Sequence, residues 1–416
     1  MTQGVAPSPV PRAERGGLPL SAVLPIVLPV FVDRVGGSGM NLLSSYLVHL
    51  DVPARHASLV LGCARSAAII GPLLTGLVLD RLGSYRLGLA AFCLTGVSFL
   101  ALPLAPHWLA ILVLAFAAQF GMSMNRVCLR GLVFDRLPSE WHRESLGWLR
   151  TAHNFGSLCA FGLASVLVLW SMHMVFALDG LTSLAAAAAL LLLVRPGAPV
   201  AARATSTVRV APADEPARAS QRASRSAVAL ILLFSFASLL WECCYNLFTI
   251  GTPARLEKLL PGEGASLYFR LLIINTVLAG FLAVKAARLF RRPGLALTLG
   301  TSLISLGAVI THASQERWVL VLGLLVWTIG EIAFTSVSTF LLGKLSQATT
   351  RPGFYFSAAT SLMSCGPAVA GALAFPLVID AKAPAAAFLF LGGAALAFFM
   401  VFLRFARRSS LWSELR

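Results

Sequence analysis

Apolar residues run along this chain in long stretches, broken by short polar or basic punctuation. A bilayer-spanning helix needs about 20 predominantly apolar residues. Twelve stretches meet that length: roughly 19–49, 57–79, 87–104, 108–129, 148–169, 174–194, 226–250, 265–287, 294–312, 317–342, 354–378 and 384–404. Between the sixth and seventh lies Arg195–Arg225, rich in Pro, Ala, Ser and Arg and without apolar periodicity, which reads as a flexible linker. The pattern predicts an all-α membrane protein with twelve transmembrane helices in two pseudo-symmetric six-helix bundles. Its expected divisions are a tail at 1–17, a first bundle at 18–194, the linker at 195–225, a second bundle at 226–404 and a second tail at 405–416.

Composition agrees. Of the 416 residues, 57% are hydrophobic and only 12% charged, about half the charged share of a soluble domain, so an ordinary soluble enzyme and a disordered chain are both excluded. The net charge of +16 has no bearing on nucleic acid, because the basic residues are spread over loops without aromatic interleaving. They obey the positive-inside rule instead. With the N-terminus placed in the cytoplasm, the outside loops hold only Arg55, Arg255, Lys258, Arg317 and Lys382 of the 33 Lys and Arg. Both termini are therefore expected inside, in a multi-pass protein of the cytoplasmic membrane. The N-terminal apolar run carries prolines and an aspartate and has no small-residue cleavage site, so a removable signal peptide is not expected. The seven cysteines all fall in apolar runs and read as packing residues. No HExxH or Cys/His cluster occurs, so neither a metal, a cofactor nor an enzyme activity is expected.

The candidate chemistry lies in charges submerged in the spans. Asp33, Arg34, Arg65, Arg126, Glu242, Arg270 and Glu331 sit well inside apolar runs, with Asp179 near the outer end of the sixth. Each costs about 2.5–3.5 kcal/mol at a bilayer centre, so they should face a bundle interior or a watery cavity. Asp33 and Arg34, being adjacent, are not expected to pair, since neighbours on a helix point about 100° apart. Arg65 and Arg126 are separated by the same number of residues as Arg270 and Glu331. Ionisable groups thus recur at matching positions in the first, second and fourth helices of each half, as in an internally repeated transporter with its site between the halves. Gly36-Gly37-Ser38-Gly39, inside the first span, reads as a hinge or packing surface.

Between the second and third spans runs Gly76-Leu-Val-Leu-Asp80-Arg81-Leu-Gly83-Ser84-Tyr85-Arg86. The arrangement Gly-x-x-x-Asp-Arg-x-Gly after a second span resembles the signature loop of the major facilitator superfamily. In that reading Gly76 lets helices approach, Gly83 makes a tight turn, Asp80 receives a helix N-terminus or an arginine, and Arg81 and Arg86 hold to the headgroups. Asn125-Arg126 through Asp135-Arg136, with Trp327-Thr-Ile-Gly330-Glu331 and Gly366-Pro367, resemble segments of the superfamily's bacterial twelve-helix drug-efflux members. There an acid like Asp135 completes a charge relay with the signature loop. The Gly-x-x-x-Gly-Pro element of the fifth helix is missing from Gly156–Gly162, a departure from the drug/proton antiporters.

The resemblance implies a secondary active transporter of a small molecule, working by alternating access and coupled to protons, with efflux of a drug-like compound or secondary metabolite as the leading expectation. Uptake or facilitated diffusion of a small polar metabolite is the alternative, and a non-transporting sensor on the same fold is the alternative from another class. In the superfamily helices 1, 4, 7 and 10 line the cavity. Asp33, Glu331 and Glu242 are accordingly the proton-coupling candidates. Arg34, Arg65, Arg126, Arg270, Asn41, Trp241, Tyr245, Asn246, Asn275 and Trp327 are the cavity candidates. The expected partners are protons, a small-molecule substrate and the bilayer, with the protein acting as a monomer.

Overall fold

The structure, a computed structural model, describes residues 20–138, 141–194, 217–289, 292–314, 316–349 and 352–408. Among the described residues twelve helices are long and apolar enough to cross a membrane, and no strand occurs. They are α1 (Ser21–His49), α2 (Ala54–Leu79), α3 (Arg81–Leu104), α4 (Trp108–Arg136), α5 (Ser145–Trp170) and α6 (Met172–Leu193) in the first bundle. The second holds α7 (Ser226–Leu259), α8 (Gly264–Leu282), α9 (Pro293–Ala313), α10 (Arg317–Gln347), α11 (Ala358–Ile379) and α12 (Pro384–Arg408). The tail at 1–17 and most of the linker lie outside the described residues. Ala217–Arg225, read from sequence as linker, is instead helical and continuous with α7. Pro216 is the last helix breaker there, and the Ala, Arg and Gln that follow are good helix formers.

Three local features shape the site. The first is a break in α1, which is divided into Leu20–Gly36 and Gly39–His49. The break is held from α6: the Gly39 N–H donates to Asp179 Oδ2 at 2.9 Å, and a Cβ on Gly36 would strike the Asp179 backbone at 2.7 Å. The glycine run is thus both hinge and packing surface, and Asp179 caps the second segment. Asp179→Ala leaves that N–H without its partner and is expected to destabilise the protein by about 1–2 kcal/mol, with Asp179→Asn milder because an acceptor remains. Thermal unfolding of the detergent-solubilised protein reads the difference.

The second feature is the turn between α2 and α3, where Gly83 is the sole residue of Ala54–Ala101 outside helical backbone, at φ +77°. That conformation favours glycine, and it delivers the tight turn expected of Gly83. Gly76 differs from expectation. Beyond its own helix backbone, no atom of the described residues lies within 4 Å of a Cβ built on it, so among them it mediates no close helix approach in this state.

The third is how the bundles meet. Let the near face be the side where α1 begins and the far face the opposite one. Contacts between the bundles run through the Gly39–His49 segment with α7, α2 with α11, and α5 with α8. They all lie toward the far face. A Cβ on Gly371 of α11 would come within 2.7 Å of the Leu61 carbonyl of α2, and Ser266 Oγ of α8 donates to the Ser165 carbonyl of α5 at 2.6 Å. Phe161 and Phe269 stack across the same seam. Among the described residues, the main packing toward the near face stays within each bundle. Leu20–Gly36 packs chiefly on α5 and α6, and the Pro352–Met363 segment leading into α11 packs on α7 and α10. Among the described residues, the space between the bundles is a wedge, closed by contacts at the far face and widening toward the near one.

Candidate functional site

The wedge brings most of the submerged charges to two facing walls. On the first-bundle wall, Arg126 of α4 stands within electrostatic reach of Arg34 of α1, Arg65 of α2 and Arg130, one turn further along α4. Arg65 is half-buried, and its Nη2 donates to the Met40 carbonyl at 3.1 Å, which ties it to the start of the second α1 segment. Arg34 is buried where α5 crosses α1, and Gly156 makes room for it: a Cβ on Gly156 would collide with the Arg34 side chain. Arg126 is accessible, open to the wedge. His153 of α5 lies within reach of Arg34 and Arg126 and joins this wall.

Asp33 is placed differently from expectation in two respects. It is buried toward α6, where Ser183 Oγ donates to Oδ1 at 2.8 Å, and it pairs with its neighbour, Arg34 Nε to Asp33 Oδ2 at 3.4 Å. The reason is reach. Adjacent Cβ atoms diverge, but the arginine stem is long enough to fold back, and a buried guanidinium with one carboxylate nearby gains by doing so. Asp179 is also in reach of Asp33, so two acids share the α1–α6 contact beside the hinge.

The second-bundle wall is acidic. Glu331 of α10 accepts from Tyr245 Oη of α7 at 3.0 Å and from Asn275 Nδ2 of α8 at 3.0 Å; the Asn275 amide also donates to Thr328 Oγ1. Three helices therefore converge on one carboxylate through neutral donors. Glu242 accepts from Asn246 Nδ2 at 2.9 Å one turn along α7, and Gly366 of α11 packs on its Cβ. The two glutamates lie within electrostatic reach of each other. Behind Tyr245 an aromatic column locks the wall. Trp241 stacks on Phe334 at 3.9 Å, and Tyr245 is held between Trp241 and Trp327 at 5.2 and 4.8 Å. Trp241 and Trp327 are nearly fully buried, so they support the site and do not line it.

Arg270 is not brought in. It lies about 140° round α8 from Asn275, at 100° per residue, on an exposed face with Val277 and Phe281. Asn41 sits half-buried on the second α1 segment, the one that packs on α7. Tyr268 of α8 is the residue that sequence reasoning missed. It is buried where the two walls meet, within reach of both Arg65 and Glu331, and its hydroxyl donates to the Thr249 carbonyl at 3.0 Å. Nothing in a lone tyrosine of an apolar run marks it.

At the signature loop, Ser84 Oγ donates to Asp135 Oδ2 at 2.7 Å, with Gly131 of α4 leaving room for Ser84. Asp135 engages the loop through the Ser84 hydroxyl. Arg81 and Arg86 are exposed, and the side chain of Asp80 lies outside the described residues. A separate cavity of about 180 Å³, lined by Arg255, His312, Thr252 and Thr311 among others, sits at the far face away from both walls.

Two six-helix bundles meeting along one seam, with oppositely charged walls around a space open to one side, define a secondary-transporter architecture. Residues 26–352 match the Major Facilitator Superfamily, and the chain belongs to it. Among proteins it resembles, a gentisate transporter of Corynebacterium glutamicum is 28% identical over 142 residues, 34% of this chain and 32% of that one. The match thus spans about a third of the relative's length. Among solved structures, the nucleoside transporter NupG superposes with a TM-score of 0.70 at 14% identity, over 93% of this chain and 99% of that one. A POT family transporter in complex with a thioalcohol-conjugated peptide superposes at 0.73 and 14% identity, over 93% and 96%. These two share the fold.

Proposed function

We propose that this multi-pass membrane transporter carries a small polar metabolite in a proton-coupled, alternating-access cycle, with Glu331 as the coupling carboxylate. The observation that carries the reading is the setting of Glu331. Its bonded partners, Tyr245 and Asn275, are neutral, so it can gain or lose a proton without breaking an ion pair. Asp33, paired with Arg34 and turned toward α6, is the weaker of the two leading candidates, and Glu242 serves Glu331 as an electrostatic neighbour. The relatives are named for gentisate, nucleosides and peptides, which supports metabolite cargo. Export of a drug-like compound is the second reading, and it draws on the α4–α5 and α10–α11 segments. With the loop charges setting both termini in the cytoplasm, the wedge of this state opens inward.

Proteoliposomes with an imposed pH gradient test the proposal. Cargo accumulation that collapses on adding a proton uncoupler is expected. Binding without flux would instead assign the protein to the sensors, and flux indifferent to the uncoupler would remove the proton from the cycle.

A further inference from the structure

The two walls are unequal in what they leave unpaired. Among the described residues, Arg34 has Asp33 and Arg65 has the Met40 carbonyl, but Arg65 Nε is buried with no partner and no carboxylate stands within 4 Å of Arg65 or Arg126. Arg126 keeps its whole fork free and open to the wedge, while three other arginines lie in reach and Asp33 is the acid near it. Such an excess of positive charge between low-dielectric walls calls for an anion from outside the chain. The opposite wall presents the Glu331 carboxylate, which receives a neutral hydroxyl and repels a second negative charge, with the Asn275 amide beside it.

Building on the transport reading above, we infer that the cargo is a small organic monocarboxylate, its carboxylate held by the Arg126 fork beside Arg65 and its other end, a hydroxyl, turned to Glu331. One free planar fork matches one carboxylate bidentately. A phosphate dianion calls for two whole forks, and Arg34 is paired with Asp33 while Arg65 has part of its fork turned to the Met40 carbonyl. A cationic cargo would meet the arginines first.

The test is binding, measured apart from flux. Lactate, quinate and 4-hydroxybenzoate are titrated calorimetrically into the full chain in nonionic detergent, each beside its uncharged amide, with phenyl phosphate as a further arm. At least one carboxylate is expected to bind, with its amide roughly 10- to 100-fold weaker. Arg126→Gln should lose a similar factor, and Arg126→Lys should recover part of it, since the charge returns without the fork. Thermal unfolding of each variant separates lost binding from lost folding. Equal binding of acid and amide, preference for phenyl phosphate, unaltered binding in Arg126→Gln, or no binding by any carboxylate would each overturn the inference. Proton-driven flux of a nucleoside alongside any of these would leave the transport reading standing; carboxylate binding without proton-driven flux would do the reverse.

Discussion

Glu331→Gln is expected to abolish accumulation against a gradient while sparing exchange of labelled for unlabelled cargo. Glutamine keeps the shape of the protonated acid: its one carbonyl oxygen accepts from Tyr245 or Asn275, and its NH2 stands where the acid's O–H would, so at most one of the two bonds to the site has to rearrange. What is lost is the capacity to carry charge in one half of the cycle and none in the other. Exchange returns the carrier loaded in both directions and needs no net proton movement, so it should persist; net uptake driven by pH should fall to the rate of leakage. Proteoliposomes loaded with or without cargo measure both modes on one preparation. Wild-type accumulation in Glu331→Gln would transfer the coupling role elsewhere. The companion variant Asp33→Asn is expected to weaken the Arg34 contact and lower stability with a smaller effect on coupling, because Asp33 is tied to the hinge.

A side chain at Gly371 is expected to stop the cycle by a different route. A Cβ there would meet the carbonyl oxygen of Leu61 at 2.7 Å and the backbone nitrogen of Gly62 at 3.0 Å, and backbone atoms cannot turn aside as a flexible side chain would. Gly371→Leu should therefore hold the far face apart, trapping the carrier away from the state described here. Both exchange and accumulation should fall to background. Cys63, next to Gly62, gives the readout in a chain whose other six cysteines are serine. An impermeant maleimide added at the far face should label Cys63 in the variant and spare it in the parent. Wild-type flux with unaltered labelling would mean that the α2–α11 seam is not a gate. The smaller Gly62→Ala, whose Cβ would meet that of Ala372 at 3.0 Å, should slow transport without stopping it.

Single residues show how far the sequence reached. The twelve spans and their near-equal halves were legible because a bilayer leaves a backbone few options: a segment that crosses must satisfy its own hydrogen bonds, and length with apolarity then identifies it. Gly83 and the α1 break were legible for the same local reason, since glycine is where a helix turns or yields. The charged residues were legible as a set, because a charge in lipid is costly enough to mark itself. Their partners were not. Asp33 and Arg34 pair through the reach of an arginine stem, Asp135 accepts from the Ser84 hydroxyl, and Arg270 turns away from the site that its spacing had suggested.

The chain alone therefore determined the medium it lives in, the number of crossings and the depth of each ionisable group, all of which follow from local apolarity and residue order. Which way each group turns came only with helix packing. Glycines 36, 39, 156 and 366 fix how closely neighbouring helices cross, and those crossings put four arginines on one wall and two glutamates on the other. Depth is a property of position along one helix, whereas facing is a property of pairs of helices, and pairing is set by contacts between residues far apart in the chain.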